Sequence, residues 1–86
     1  MTVAAKVTVR YFAAARAAAG IDDEMVGVAP GTTIAALVHD LGERDPELAK
    51  VLGRCSYLCD GIAVRDLGLT VGNAQIVDVL PPFAGG

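Results

Sequence analysis

The chain has 86 residues, with seven Lys and Arg against ten Asp and Glu, and carries a net charge of −3 when its single histidine is neutral. That length makes one domain with a modest core that needs neither disulfides nor metal, and the acidic balance argues against non-specific nucleic-acid binding. Although 53% of the residues are hydrophobic, the excess is mostly alanine and no apolar run is long enough to span a bilayer.

Lys6-Val7-Thr8-Val9-Arg10-Tyr11-Phe12 alternates. Val7, Val9 and Tyr11 fall on one face and Thr8, Arg10 and Phe12 on the other, which predicts a first strand with one buried face. Phe12 is out of place on its mostly polar face; it either packs under a neighbouring segment or belongs to a contact surface. The alanine-rich stretch from Ala13 to Ala19, with Arg16 in its middle and Gly20 as a stop, predicts a short helical turn or a compact loop. Asp22, Asp23 and Glu24 read as a solvated acidic entry to a second strand from Met25 to Val28, weakened by Gly27 but pairing with the first as a hairpin. Such a cluster is ordinary surface or a meeting point for a basic partner.

Pro30-Gly31 punctuates the chain, and Thr32 or Thr33 can cap the helix that follows. Ile34, Leu37, Val38 and Leu41 recur at helical spacing and form one apolar stripe facing a sheet, with His39 off the stripe and exposed. Asp45-Pro46-Glu47 opens a second, short helix with a cap, a proline at its first position and an acid where the helix dipole favours one. Leu48, Val51 and Leu52 are its buried side, and Gly53 can close it. Ser56–Cys59 and Ile62–Arg65 flank Asp60-Gly61, a two-residue hairpin signal. Leu67 to Asn73 is a loop, and the last strand runs from Gln75 to Leu80. Two strands, a helix, a short helix and further strands fit an α+β layer arrangement, one sheet packed on one side by the main helix.

The body offers little chemistry. Cys55, Cys59 and His39 do not supply the paired spacings of a zinc site, Cys-x3-Cys is not the usual redox spacing, and both cysteines read as small core or strand residues. No nucleophile–base set and no phosphate-binding glycine loop is present, so the expected metal set is none and any catalytic groups come from elsewhere. Chemistry concentrates in Pro81-Pro82-Phe83-Ala84-Gly85-Gly86. Two prolines hold the chain extended, an aromatic follows that can dock, and three nearly side-chain-free residues end it. At about 3.3 Å per residue such a tail reaches roughly 20 Å, enough to enter a pocket on another protein. Its reactive group is the carboxylate of Gly86, a poor electrophile until activated, most simply by adenylation with ATP on a partner. The absence of a Cβ at Gly85 and Gly86 lets a nucleotide and a nucleophile approach. The blander alternative is a frayed end without function.

The runs Val9-Arg10-Tyr11-Phe12-Ala13-Ala14-Ala15-Arg16, Pro30-Gly31-Thr32 and Leu80-Pro81-Pro82-Phe83-Ala84-Gly85-Gly86 resemble the MoaD/ThiS-type sulfur carriers, most nearly the small subunits of molybdopterin synthase. The resemblance spans nearly the whole chain, and the Pro-Pro-x-Ala-Gly-Gly ending is its specific part. It implies a ubiquitin-like β-grasp domain over residues 1–80 and a flexible C-terminal tail over 81–86. It further implies that an E1-like adenylyltransferase, using ATP and Mg, activates Gly86, and that a sulfur donor converts it to a thiocarboxylate. The tail would then enter the large subunit, whose basic groups hold the anionic cyclic pyranopterin monophosphate that receives the sulfur. Gly86 matches the sulfur-bearing glycine and Gly85 the residue that lets it enter a narrow site. Phe12, Leu80 and Val64 match positions that contact the large subunit, although ordinary core is an equal reading for Leu80 and Val64. Pro81, Pro82, Phe83 and Ala84 belong to the same contact. Two departures stand out: Ala74-Gln75-Ile76 replaces a frequent Gly-Asp-Glu, and Phe83 replaces a smaller aliphatic. Rival readings are a carrier for thiamine or cysteine biosynthesis and a ubiquitin-like modifier or binding module whose Gly86 forms an isopeptide bond. Met1 to Lys6 lacks the basic start and apolar stretch of a secretory signal, so the expected location is the cytoplasm.

Overall fold

The computed structural model describes residues 5–72 and 76–82. Its elements are β1 (Ala5–Tyr11), α1 (Ala13–Ala19), β2 (Asp23–Val28), α2 (Ile34–Glu43), α3 (Pro46–Leu52), β3 (Ser56–Cys59), β4 (Ile62–Ala63) and β5 (Ile76–Leu80). The described strands form one five-stranded mixed sheet in the order β2-β1-β5-β3-β4. β1 is antiparallel to β2 and parallel to β5, with Val7 opposite Val26, Val9 opposite Val77 and Tyr11 opposite Val79. β3 runs antiparallel to β5, with Tyr57 opposite Val79, and pairs with β4 across the hairpin.

Because side chains alternate along a strand, this register puts Val7, Val9, Tyr11, Val77, Val79 and Tyr57 on one face. Ala15 of α1, Ile34, Leu37 and Leu41 of α2, and Leu48 and Leu52 of α3 join them in a single buried cluster. Each fully buried aliphatic contributes about 1.5–3 kcal/mol, so the spacing of these residues selects both the helices and the face they cover.

Local chemistry sets the ends of the elements. The Thr33 hydroxyl accepts from the Ala36 N–H at 3.0 Å and caps α2. The N–H groups of Ile34 and Ala35 donate to the carbonyls of Leu69 and Leu67, both at 2.9 Å, so the loop before β5 seals the start of the main helix. Asp45 caps α3 by accepting from the Glu47 N–H, and the buried Tyr57 hydroxyl donates to the Leu52 carbonyl at its far end. In the hairpin, Asp60 and Gly61 both take positive φ, 49° and 83°, as a two-residue turn matched to the twist of its strands requires.

Several boundaries differ from the sequence expectation. β1 stops at Tyr11, and Phe12 instead caps α1, followed by Ala13 at φ 50°. The stretch from Ala13 to Ala19 is a helix, closed by Gly20 in the left-handed region. β2 begins at Asp23, ahead of the expected Met25, because pairing with Arg10 and Val9 extends the ladder. β4 holds only Ile62 and Ala63 instead of running to Arg65, although the Val64 N–H still donates to the Tyr57 carbonyl at 2.9 Å. Val38 and Val51 are half-buried at the flanks of their helices, where the closest packing goes to Leu37 and Leu52. Gln75, the expected start of the last strand, lies outside the described residues.

The acidic entry is not wholly solvated. Glu24 shares the helix-covered face with Val9's neighbours, accepts from both terminal nitrogens of Arg44, one at 2.8 Å, and accepts from the Tyr11 hydroxyl at 2.7 Å. These hydrogen bonds, led by those from Arg44, hold the Glu24 carboxyl below its ordinary value, while burial and the Glu24 contact push the Tyr11 phenol upward. A carboxyl depressed on folding stabilises above its unfolded pKa, about 4.3, and loses that contribution as the pH falls through the lower folded value. Glu24→Gln is therefore expected to lower stability by about 1 kcal/mol at pH 7. Urea unfolding across pH should show this gap closing as the medium is acidified below about pH 4.

Candidate functional site

β5 ends at Leu80 and hands the chain to Pro81, half-buried, and Pro82, exposed. Phe83, Ala84, Gly85 and Gly86, where the expected chemistry sits, lie outside the described residues. The body residues assigned to the contact surface can be placed. The Phe12 N–H donates to the Val79 carbonyl at 3.3 Å, Val79 stands opposite Tyr57, and Tyr57 accepts from the Val64 N–H. Phe12, the end of β5 and Val64 thus lie along one line drawn across the sheet at the point where the chain leaves it.

They do not share a face. Leu80 alternates with Val79 and so stands on the side of the sheet that no described helix covers, half-buried, opposite Ser56. Phe12 is 40% exposed, and the Arg10 guanidinium carbon lies 5.7 Å from its ring centroid on that same side. An exposed aromatic held against a cation answers the sequence question about Phe12: it does not pack under a neighbouring segment but stands on the surface. Val64 packs against the core cluster instead, so its burial is accounted for by the fold.

The open face carries one feature that sequence reasoning passed over. Asp78, in the middle of β5, is the buried charged residue among those described, at 5% exposure. Its register partner is Arg10, whose Nε and Nη2 donate to the two carboxylate oxygens, Nη2 at 2.9 Å. The hydrogen bond and charge of Asp78 raise the Arg10 pKa and keep it cationic. A signal existed in the sequence, since a lone acid interrupts the apolar run from Ile76 to Leu80 and an arginine sits at an outward position of β1; nothing local, however, says that these two strands are neighbours.

The remaining candidates stay quiet. Cys55 and Cys59 are free and half-buried, with the Cys55 thiol 3.1 Å from the Val51 carbonyl, and burial raises both thiol pKa values, which leaves little thiolate at neutral pH. His39 is exposed and pairs with Glu43 at 2.9 Å along α2. Among the described residues no group of three or more His, Cys, Asp or Glu could hold a metal ion, and no helix is long and apolar enough to cross a membrane.

A mixed sheet with helices on one face, whose first and last strands lie parallel at its centre, defines a ubiquitin-like β-grasp protein. The last strand of that fold carries the chain out beside β1, here beside Phe12. The chain belongs to the ThiS family, whose sequence pattern matches residues 9–86. Among solved structures it is similar to a putative molybdopterin converting factor, subunit 1, from Pyrococcus furiosus, at 23% identity and a TM-score of 0.79, covering 91% of this chain and 98% of that one. Small archaeal modifier protein 1 from Methanosarcina acetivorans is similar at 25% identity and a TM-score of 0.76, covering 98% and 99%. A chain from the complex of subunits 1 and 2 of the molybdopterin-converting factor of Helicobacter pylori is similar at 18% identity and a TM-score of 0.67, covering 95% and 100%. No curated protein matches the sequence.

Exposure separates surface from core at this end of the sheet. Phe12→Ala is expected to change folding stability by less than about 1 kcal/mol, whereas Val79→Ala, at 0% exposure, should cost about 2 kcal/mol. Denaturant midpoints of the two variants check this, and a large loss in Phe12→Ala would make Phe12 a core residue.

Proposed function

We propose that this chain is the sulfur-carrier subunit of a molybdopterin synthase. The observation that carries the reading is the family match, which runs through the Gly85-Gly86 ending, on a body whose described residues offer no nucleophile–base set. In this reading residues 1–80 are the β-grasp body and 81–86 the tail. The Gly86 carboxylate attacks the α-phosphorus of ATP, with Mg, on an E1-like adenylyltransferase and releases pyrophosphate. A donor then delivers sulfur at the sulfide level, which attacks the acyl carbon, breaks its bond to the phosphate oxygen, releases AMP and leaves a thiocarboxylate. Its sulfur is a good nucleophile at neutral pH and bonds to cyclic pyranopterin monophosphate, after which water cleaves the acyl–sulfur bond, leaving sulfur on the substrate and returning Gly86 as a carboxylate. That substrate is anionic and this chain carries a net charge of −3, so a basic large subunit is better suited to hold it. The Helicobacter pylori complex, in which a similar chain is paired with a second subunit, supports a large-subunit partner. Phe12, Leu80 and Pro81 to Ala84 form the contact with it, with Val64 at its edge, and all of this takes place in the cytoplasm.

A second reading rests on the likeness to an archaeal modifier protein: Gly86, activated in the same way, forms an isopeptide bond with lysine. Intact mass after incubation with ATP, an activating enzyme and a sulfur donor separates the two. The carrier reading expects the gain of one sulfur for one oxygen, absent from a chain lacking Gly86 that folds normally. Lysine adducts without that gain would favour the modifier, and neither product would overturn both. Phe12→Ala is expected to take up sulfur normally but to bind the large subunit about tenfold more weakly, a loss of roughly 1.4 kcal/mol measurable by titration calorimetry.

A further inference from the structure

The Arg10–Asp78 pair has no evident place in a stability account. It lies on the sheet face that no described helix covers, yet Asp78 is buried while the Arg10 side chain is 45% exposed, so the arginine itself roofs the carboxylate. An apolar pair of similar volume would hold two neighbouring strands as well or better, because burying a carboxylate requires desolvating it. What an apolar pair would not do is fix a direction. The planar guanidinium is clamped at two nitrogens by Asp78 and lies against the Phe12 ring at 5.7 Å. Asp78 is two residues before Leu80, where β5 ends, and Phe12 is tied by its N–H to the Val79 carbonyl between them. One clamped group therefore lies beside Phe12 and on the same sheet face as Leu80, two residues along β5 from Asp78.

We propose that Arg10, clamped by Asp78, is a positioning residue for sulfur transfer, which sets the Phe12 ring and the end of β5 as one preformed contact and presents a neutralised pair that a partner can cover. The proposal rests on the sulfur-carrier reading above. A ring held in its bound orientation loses less freedom on association, so removing the clamp weakens capture of the carrier and leaves the chemical step alone. Lysine in place of Arg10 keeps the charge but loses the two-pronged geometry and the flat stacking surface.

The test uses the full-length thiocarboxylated chain with the large subunit and cyclic pyranopterin monophosphate, and compares wild type with Arg10→Lys and with the double variant Arg10→Leu/Asp78→Leu. The expected result is a double variant at least as heat-stable as wild type, with KM for the carrier raised about tenfold and kcat within about twofold. Arg10→Lys is expected to raise KM about threefold and provides the same readout if the double variant does not fold. Wild-type transfer accompanied by unchanged KM in the folded variants overturns this proposal alone and leaves the carrier reading intact. Failure of wild type to take up sulfur, or to pass it on, overturns the carrier reading and this proposal with it.

Discussion

The parallel pairing of β1 with β5 joins residues separated by almost the whole chain, and everything else in the molecule is arranged around it. Arg10 and Asp78, 68 positions apart, become neighbours through it, as do Phe12 and Val79. Parallel strands cannot be joined by a tight turn, so the intervening chain must cross over one face of the sheet, and the helices that do so are the ones that bury Val7, Val9, Val77 and Val79. Central placement also leaves β5 bonded on both sides, which ties the point where the tail departs to the most buried part of the fold.

The two faces of the sheet solve different problems. On the helix side, apolar packing is supplemented where helix ends and strand edges meet: the loop carbonyls of Leu67 and Leu69 close the start of α2, Tyr57 reaches the end of α3, and Glu24 ties β2 to Arg44 beyond the end of α2. α2 passes close to α3 at Gly42, where a Cβ would sit 3.2 Å from the Ala49 side chain. On the open side, Thr8, Met25, Leu58, Ala63 and Leu80 alternate outward around the Arg10–Asp78 pair.

The chain is a ThiS-family protein with a ubiquitin-like fold, and its structural relatives are of two kinds, a putative molybdopterin converting factor subunit 1 and small archaeal modifier proteins. One physical design serves either use. In the carrier reading proposed above, the small body offers the recognition surface and a chain end without bulky side chains enters a site where another protein supplies the catalytic groups. His39 is an exposed side chain within hydrogen-bond distance of Glu43, and Cys55 and Cys59 are two half-buried free thiols.

Local pattern was enough to determine several features from sequence. The stripe of Ile34, Leu37 and Leu41, the Asp45-Pro46 helix start and the Asp60-Gly61 turn are set by residues within a few positions of one another, and the structure has all three where the pattern puts them. The proline pair and the glycines of the last six residues, together with the Val9–Arg16 run, likewise point to the family by themselves. Periodicity assigns a side chain to a face of its own element and says nothing of which element comes next to it. For that reason the sequence leaves Phe12 between two readings, reads Glu24 as part of a solvated acidic entry, either surface or a meeting point for a basic partner, and is silent on Asp78. Strand order and register brought Arg10 over Asp78 and Phe12, and Arg44 onto Glu24, and those are non-local contacts that only the closed sheet and its packed helices could decide.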